Sequence, residues 1–161
     1  MAISVGDQLP EADVFVLGAE GPEAQAAAAL FKGKKCVLFA VPGAFTPSCH
    51  NDHLPGYIRA ADDLKGKGID EIYCLAVNDA FVMKAWSDAL GAAPAVVVLA
   101  DGNGSFSEAL GLTFDGAGVG LGSRSQRYSM LVEDGVVKAL HVEESPGTVD
   151  VSAADKMLAA L

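Results

Sequence analysis

A cysteine stands just past the end of an apolar run, behind a threonine and a proline: Pro42-Gly43-Ala44-Phe45-Thr46-Pro47-Ser48-Cys49. The preceding residues Cys36–Val41 (CVLFAV) read as a buried strand. Threonine is a favoured N-cap and proline a favoured first helical residue. A helix is therefore expected to begin at Pro47, with Cys49 in its first turn. Unpaired N–H groups and the helix dipole favour an anion there, and the thiolate is the nucleophilic form of cysteine. Thr46 is placed to serve twice. Its oxygen can accept from the Cys49 N–H, and its O–H can donate to the sulfur. The chemistry expected is nucleophilic attack by the Cys49 sulfur.

Magnitudes show what else such a site needs. A free thiol of pKa about 8.5 is roughly 3% ionised at pH 7, so complete ionisation raises the thiolate fraction only about 30-fold. Nucleophilicity per thiolate also falls with pKa. The remaining acceleration must come from stabilising charge on the departing atom, which calls for a cation near the sulfur. Close by in sequence, only His50 and His53 are basic. Arg127 and Arg124, ahead of the strand Tyr128–Val132, are the candidates from elsewhere in the fold. His53 lies four residues after Cys49, on the same helical face, where packing or hydrogen bonding is the expected role. Cys49, His50 and His53 lack a fourth ligand at zinc spacing, so no metal and no cofactor are expected. Cys36 reads as a small buried hydrophobe, and Cys74 as a buried strand thiol or a second redox group. Gly116–Gly122 does not follow a strand in a βαβ context and is not read as a phosphate loop.

The elements that must position these groups follow from the rest of the pattern. The length suits one domain, 1–161, with a sizeable core. Ala24–Ala29 reads as a short helical or loop element. Pro55-Gly56 should kink or break the helix that starts at Pro47. Ile69–Val77 and Ala95–Ala100 are expected strands. Asn78-Asp79 caps a helix reaching Leu90, and Ser105–Leu110 is a short helix. Gly111–Gly122 reads as a loop. Arg127–Val132 and Val136–Val142 are strands joined at Glu133-Asp134-Gly135, a hairpin signal. Val151–Leu161 reads as a closing helix. Alternating strands and helices followed by a hairpin predict an α/β three-layer sandwich with a mixed central sheet flanked by helices.

The net charge of −10 disfavours nucleic acid and anionic membrane surfaces as partners. No apolar run approaches the roughly 20 residues of a membrane helix, and the first residues lack a secretory pattern. Three cysteines without a CxxC fit a reducing compartment. The expected location is cytoplasmic, with plastid or mitochondrion as alternatives where a transit peptide has been removed.

The segment Pro42–Cys49, followed by His53-Leu54-Pro55-Gly56-Tyr57, resembles the active-site signature of type II, peroxiredoxin-5-like, peroxiredoxins. Gly33-Lys34-Lys35, Val77–Val82 and Arg127-Tyr128-Ser129-Met130 before Glu133-Asp134-Gly135 match the same group, so the resemblance runs from about Ile3 to about Val142. It implies a thioredoxin-like fold and reduction of hydrogen peroxide or alkyl hydroperoxides. It implies that Cys49 is the peroxidatic cysteine, that Thr46 hydrogen-bonds it, that Pro42 shields it, and that Arg127 is the active-site arginine, with Arg124 second. Recycling by glutathione/glutaredoxin or thioredoxin, and pairing as a homodimer through the active-site side, follow from the same resemblance. Some members carry a resolving cysteine near the C-terminus, but Thr148–Leu161 contains none. Cys74 instead matches the second cysteine of plant-type members and is a possible resolving residue. Two other functions share parts of this pattern. A thioredoxin-type disulfide oxidoreductase would require CxxC, and a peroxide sensor or holdase would begin from the same sulfenic acid.

Overall fold

The apolar runs form the middle of one seven-stranded sheet in the computed structural model, which describes residues 1–161. In chain order the elements are β1 (Asp13–Gly18), β2 (Gly21–Ala26), α1 (Ala27–Phe31), β3 (Lys35–Ala40), α2 (Leu54–Gly66), β4 (Glu71–Ala76), α3 (Ala80–Leu90), β5 (Val97–Ala100), α4 (Ser105–Leu110), β6 (Thr113–Asp115), β7 (Ser123–Ser125), β8 (Tyr128–Glu133), β9 (Val136–Val142) and α5 (Ala154–Ala159). The sheet order is β2-β1-β5-β4-β3-β8-β9. Strands β3, β4 and β5 run parallel, and β1 and β8 flank them antiparallel. The mixed sheet of the three-layer expectation is present.

Period-two alternation gives this sheet two dry faces. Val37, Phe39, Ile72, Cys74 and Leu131 point into one core, closed by α2, α3 and α5. Cys36, Leu38, Ala40, Tyr73 and Met130 point into the other, with Phe31 of α1 and Phe106 of α4. Two of the helices carry a side-chain start signal. Asp79 accepts from the Val82 N–H at 2.8 Å ahead of α3, and Asp101 accepts from the Phe106 and Ser107 N–H groups ahead of α4. The β8–β9 turn has Asp134 and Gly135 at φ 48° and 80°, the pair of positive values a tight two-residue hairpin needs.

Four expectations change. The β1–β2 hairpin has no counterpart in the sequence reading. Its second strand, GPEAQA, is rich in poor strand formers and begins next to a proline, which suits only an edge. Residues Ala24–Ala26 finish that strand and Ala27–Phe31 form the helix, so the alanine stretch is divided between two elements. The Gly111–Gly122 loop is bordered by a small ribbon, Thr113–Asp115 paired with Ser123–Ser125. The closing helix is confined to Ala154–Ala159, and the chain before it lies over the site described next.

Candidate active site

Helix formation begins at Pro47, with the His50 N–H donating to the Thr46 carbonyl at 2.8 Å. Residues Cys49–His53 then make a π turn in which the Leu54 N–H reaches back to the Cys49 carbonyl. The expected kink at Pro55-Gly56 does not occur, because α2 runs unbroken through both residues. Proline lacks an N–H and its ring crowds the carbonyl one turn back. The wider turn Cys49–His53 ahead of it takes up that misfit, and such turns recur at functional sites.

The sulfur of Cys49 is buried at the carboxyl end of β3, the end of a parallel strand where open sheets place their ligands. Arg127 is buried beside it. Its Nη2 donates to the Cys49 Sγ at 3.0 Å, its Nη1 to His53 Nδ1 at 2.9 Å, and its Nε to the Pro146 carbonyl at 3.0 Å. A buried guanidinium is tolerated when its donors are satisfied in this way. The sheet explains the placement. Ala40 of β3 pairs with Tyr128 of β8, so Arg127 sits across from the start of the Pro42 turn. Strand parity turns its side chain to the face shared by Phe39 and Cys74.

His53 connects the arginine to the last part of the chain. Its Nε2 lies 3.1 Å from the Ser152 carbonyl, which can only accept. That nitrogen therefore carries the hydrogen, and Nδ1 is left to accept from Arg127. Burial, and then the Arg127 charge, hold the His53 pKa down to about 3 from 6.5. Phe39 stacks on Tyr57 at 4.0 Å and packs against His53 at 4.9 Å. The Tyr57 hydroxyl donates to the same Ser152 carbonyl at 2.8 Å.

The histidine makes stability depend on pH with a definite sign. Between about pH 3 and pH 6.5 the unfolded chain binds a proton at His53 that the folded chain does not. Stability is full above pH 6.5 and falls as pH drops, with a slope approaching about 1.4 kcal/mol per pH unit. Urea unfolding at pH 5.0, 5.5, 6.0 and 6.5 should show a shallower slope for His53→Gln than for the wild type. Equal slopes would remove His53 as the source.

Thr46 departs from its expected double role. Its O–H donates to the Gly43 carbonyl at 2.7 Å, and its oxygen makes no cap bond to the Cys49 N–H. The turn carbonyl captures the hydroxyl because Gly43 lies three residues back, within the same tight loop. Pro42 is buried. Its carbonyl accepts from Arg124 Nη1 at 3.1 Å, while Arg124 Nε donates to the Leu121 carbonyl at 2.9 Å. Of the two arginines, Arg127 meets the sulfur and Arg124 braces the turn. Pro42, Thr46, Phe114, Val119, Leu121 and Arg127 are among the residues around a mouth of about 340 Å³.

His50 does not join the sulfur. It accepts from Trp86 Nε1 at 3.1 Å and stacks on Phe45. Cys36 faces the opposite core, and burial first of all raises its pKa to about 11. Cys74 shares the Cys49 core, within a strand paired on both sides. Burial, and then the Cys49 charge, raise its pKa, and all three thiols are free. Sequence reasoning missed Glu143 and the residues 146–152 that follow it. They act largely through backbone groups, which leave no side-chain signature; the one available signal was the acidic pair Glu143-Glu144 directly after a strand.

A thiol under a buried arginine at the carboxyl end of a parallel strand, in a sheet of this order, defines a thiol-based redox protein of thioredoxin-like build. A family model described as Redoxin matches residues 4–158. The chain is 48% identical over 99% of its length to Peroxiredoxin-2E, chloroplastic, of Arabidopsis thaliana, covering 70% of that protein. It is 45% identical to Peroxiredoxin-2B of the same plant, covering 99% of this chain and 98% of that one. The crystal structure of reduced Prx3 from Vibrio vulnificus in complex with hydrogen peroxide superposes with a TM-score of 0.93 at 53% identity, over 98% of both chains. The chain therefore belongs to the redoxin family and is a peroxiredoxin with the thioredoxin-like fold, a thiol-dependent peroxidase.

Proposed function

We propose that Cys49 is the sulfur that attacks peroxide, that Arg127 stabilises both thiolate and departing oxygen, and that Thr46 and Pro42 shape the approach. The observation that carries this reading is the 3.0 Å contact between Arg127 Nη2 and the Cys49 Sγ. The thiolate forms an S–O bond as the O–O bond breaks. The sulfur is oxidised to sulfenic acid, and the departing oxygen leaves as alcohol or water after taking a proton. A cation beside both atoms lowers the barrier most where charge develops. Thr46 has committed its proton to Gly43, so its oxygen is available to accept the hydrogen of a hydroperoxide at the mouth. Phe114, Val119 and Leu121 offer apolar contact to the carbon part of an alkyl hydroperoxide.

The sulfenic acid is proposed to be reduced by glutathione with glutaredoxin, or by thioredoxin. A first thiol condenses to a mixed disulfide with loss of water, and a second thiol releases Cys49. Steady-state peroxide consumption with each system, run separately, tests this; turnover with neither would exclude both. The chain is further proposed to pair with a second copy through the mouth face, where Phe45 and Val119 are 51% and 78% exposed. Sedimentation velocity showing only monomer would exclude that pairing. The three free thiols favour a reducing compartment such as the cytoplasm. No helix is long and apolar enough to cross a membrane.

Cys74 is the possible resolving residue, and the fold sets the condition. A disulfide needs Cα atoms about 4.4–6.8 Å apart, yet Cys49 lies in a helical turn and Cys74 inside a doubly paired strand. Linking them is proposed to need local unwinding of the π turn. Cys74→Ser is therefore expected to keep most peroxidase activity with glutathione and glutaredoxin. Mass spectrometry after one equivalent of peroxide checks it. A dominant Cys49–Cys74 linkage, with turnover lost in Cys74→Ser, would make unwinding part of the cycle.

A further inference from the structure

We infer that Glu143 is a positioning residue for the Arg127 guanidinium, acting through the chain it folds over the site. Glu143 follows β9, and its N–H donates to the Arg127 carbonyl at 2.9 Å. Its Oε2 accepts from the Asp150 N–H at 2.7 Å, the Ser152 N–H at 2.9 Å and the Ser152 hydroxyl at 2.6 Å. Burial alone would raise the carboxyl pKa, but these bonds outweigh it and leave the group below its usual 4.5. One carboxylate oxygen thus closes the chain from 143 to 152 into a loop.

That loop supplies the acceptors that hold the site. The Pro146 carbonyl takes Arg127 Nε, the Gly147 carbonyl takes the Ser48 hydroxyl at 2.8 Å, and the Ser152 carbonyl takes His53 and Tyr57. His53 in turn takes Arg127 Nη1. Two of the three guanidinium contacts other than solvent therefore trace back to the loop, and the third is the sulfur itself. Residues 144–148 are exposed and belong to no helix or strand. Ordering an exposed segment opposes its chain entropy, and charge-assisted bonds to one buried carboxylate are the strong kind that can offset it. With the clamp released, Nε and Nη1 lose fixed acceptors and the fork is free to turn away from the sulfur.

This inference rests on the reading that Cys49 and Arg127 carry the reaction, and a double-mutant cycle separates the two. The second-order rate constant with hydrogen peroxide is measured for wild type, Glu143→Gln, Arg127→Ala and the double variant, with folding checked by circular dichroism. Glutamine keeps the shape and one acceptor oxygen but loses the charge. Glu143→Gln should lose about 10-fold in the wild-type background and under about 2-fold in the Arg127→Ala background, because a residue acting through Arg127 has nothing left to position. Ser152→Ala, which removes a single donor, should lose about 3-fold with the same disappearance, and it decides the matter should Glu143→Gln not fold. Equal losses in both backgrounds would mark a purely structural role and overturn the inference. So would an undiminished rate in folded Glu143→Gln. An undiminished rate in Arg127→Ala would instead overturn the reading of the site on which the inference stands.

Discussion

Cys49→Ser is expected to reduce peroxide consumption to the uncatalysed background while the protein stays folded. A serine hydroxyl is not ionised near neutral pH, so no competent nucleophile remains under Arg127. The substitution replaces one small buried atom by another in a position that already faces a guanidinium donor at 3.0 Å, so the fold has little reason to change. Far-UV circular dichroism and a thermal melt report on the fold, and a coupled assay reports on the rate. Peroxide consumption above background in a folded Cys49→Ser protein would falsify the assignment of the nucleophile. Neither other thiol is a plausible substitute: Cys36 lies on the far face of the sheet and Cys74 inside a central strand, and burial raises the pKa of both.

Arg127→Ala should cost about 2–4 kcal/mol of barrier, a loss of roughly 30- to 1,000-fold in the rate with peroxide. It removes a cation from the sulfur and from the oxygen that departs. It also leaves the buried His53 Nδ1 without its donor, which destabilises by about 1–3 kcal/mol; the Pro146 carbonyl loses the same partner but sits on an exposed segment where water can replace it. Rates are therefore compared well below the melting temperature of the weaker protein. Arg127→Lys should recover only part of the loss, because a single ammonium cannot reproduce a planar fork that reaches three acceptors. Arg124→Ala should do less harm, since its guanidinium holds the Pro42 and Leu121 carbonyls and does not contact the sulfur. A larger loss in Arg124→Ala than in Arg127→Ala would reverse the two assignments.

What was legible in the sequence was what short-range chemistry writes there. The strand before Pro42, the helix beginning at Pro47 and the Asp134-Gly135 turn each depend on residues adjacent to one another, and each is found. Arg127 was ranked above Arg124 by resemblance. Its physical reason is a register, Ala40 opposite Tyr128, which pairs strands far apart in the chain and leaves no local mark. Thr46 was misread because a hydroxyl in a tight loop has several acceptors within reach, and the sequence does not say which one wins. The π turn was invisible because Pro55 signals a misfit without indicating how it is absorbed. The loop after β9 was least legible of all. Its contribution consists of the carbonyls of Pro146, Gly147 and Ser152, groups that every residue possesses.

Gly43 carries a consequence for how this site can drift over generations. A methyl group built on its α-carbon would lie 2.7 Å from Arg124 Nη1 and 3.2 Å from the Thr46 methyl. The arginine tip is the flexible end of its side chain and can give way, at the expense of its 3.1 Å bond to the Pro42 carbonyl. A side chain at position 43 and the brace from position 124 thus compete for the same space. The two positions are coupled through that space: an alanine at 43 weakens what the arginine at 124 contributes, and loss of that arginine opens room above the glycine.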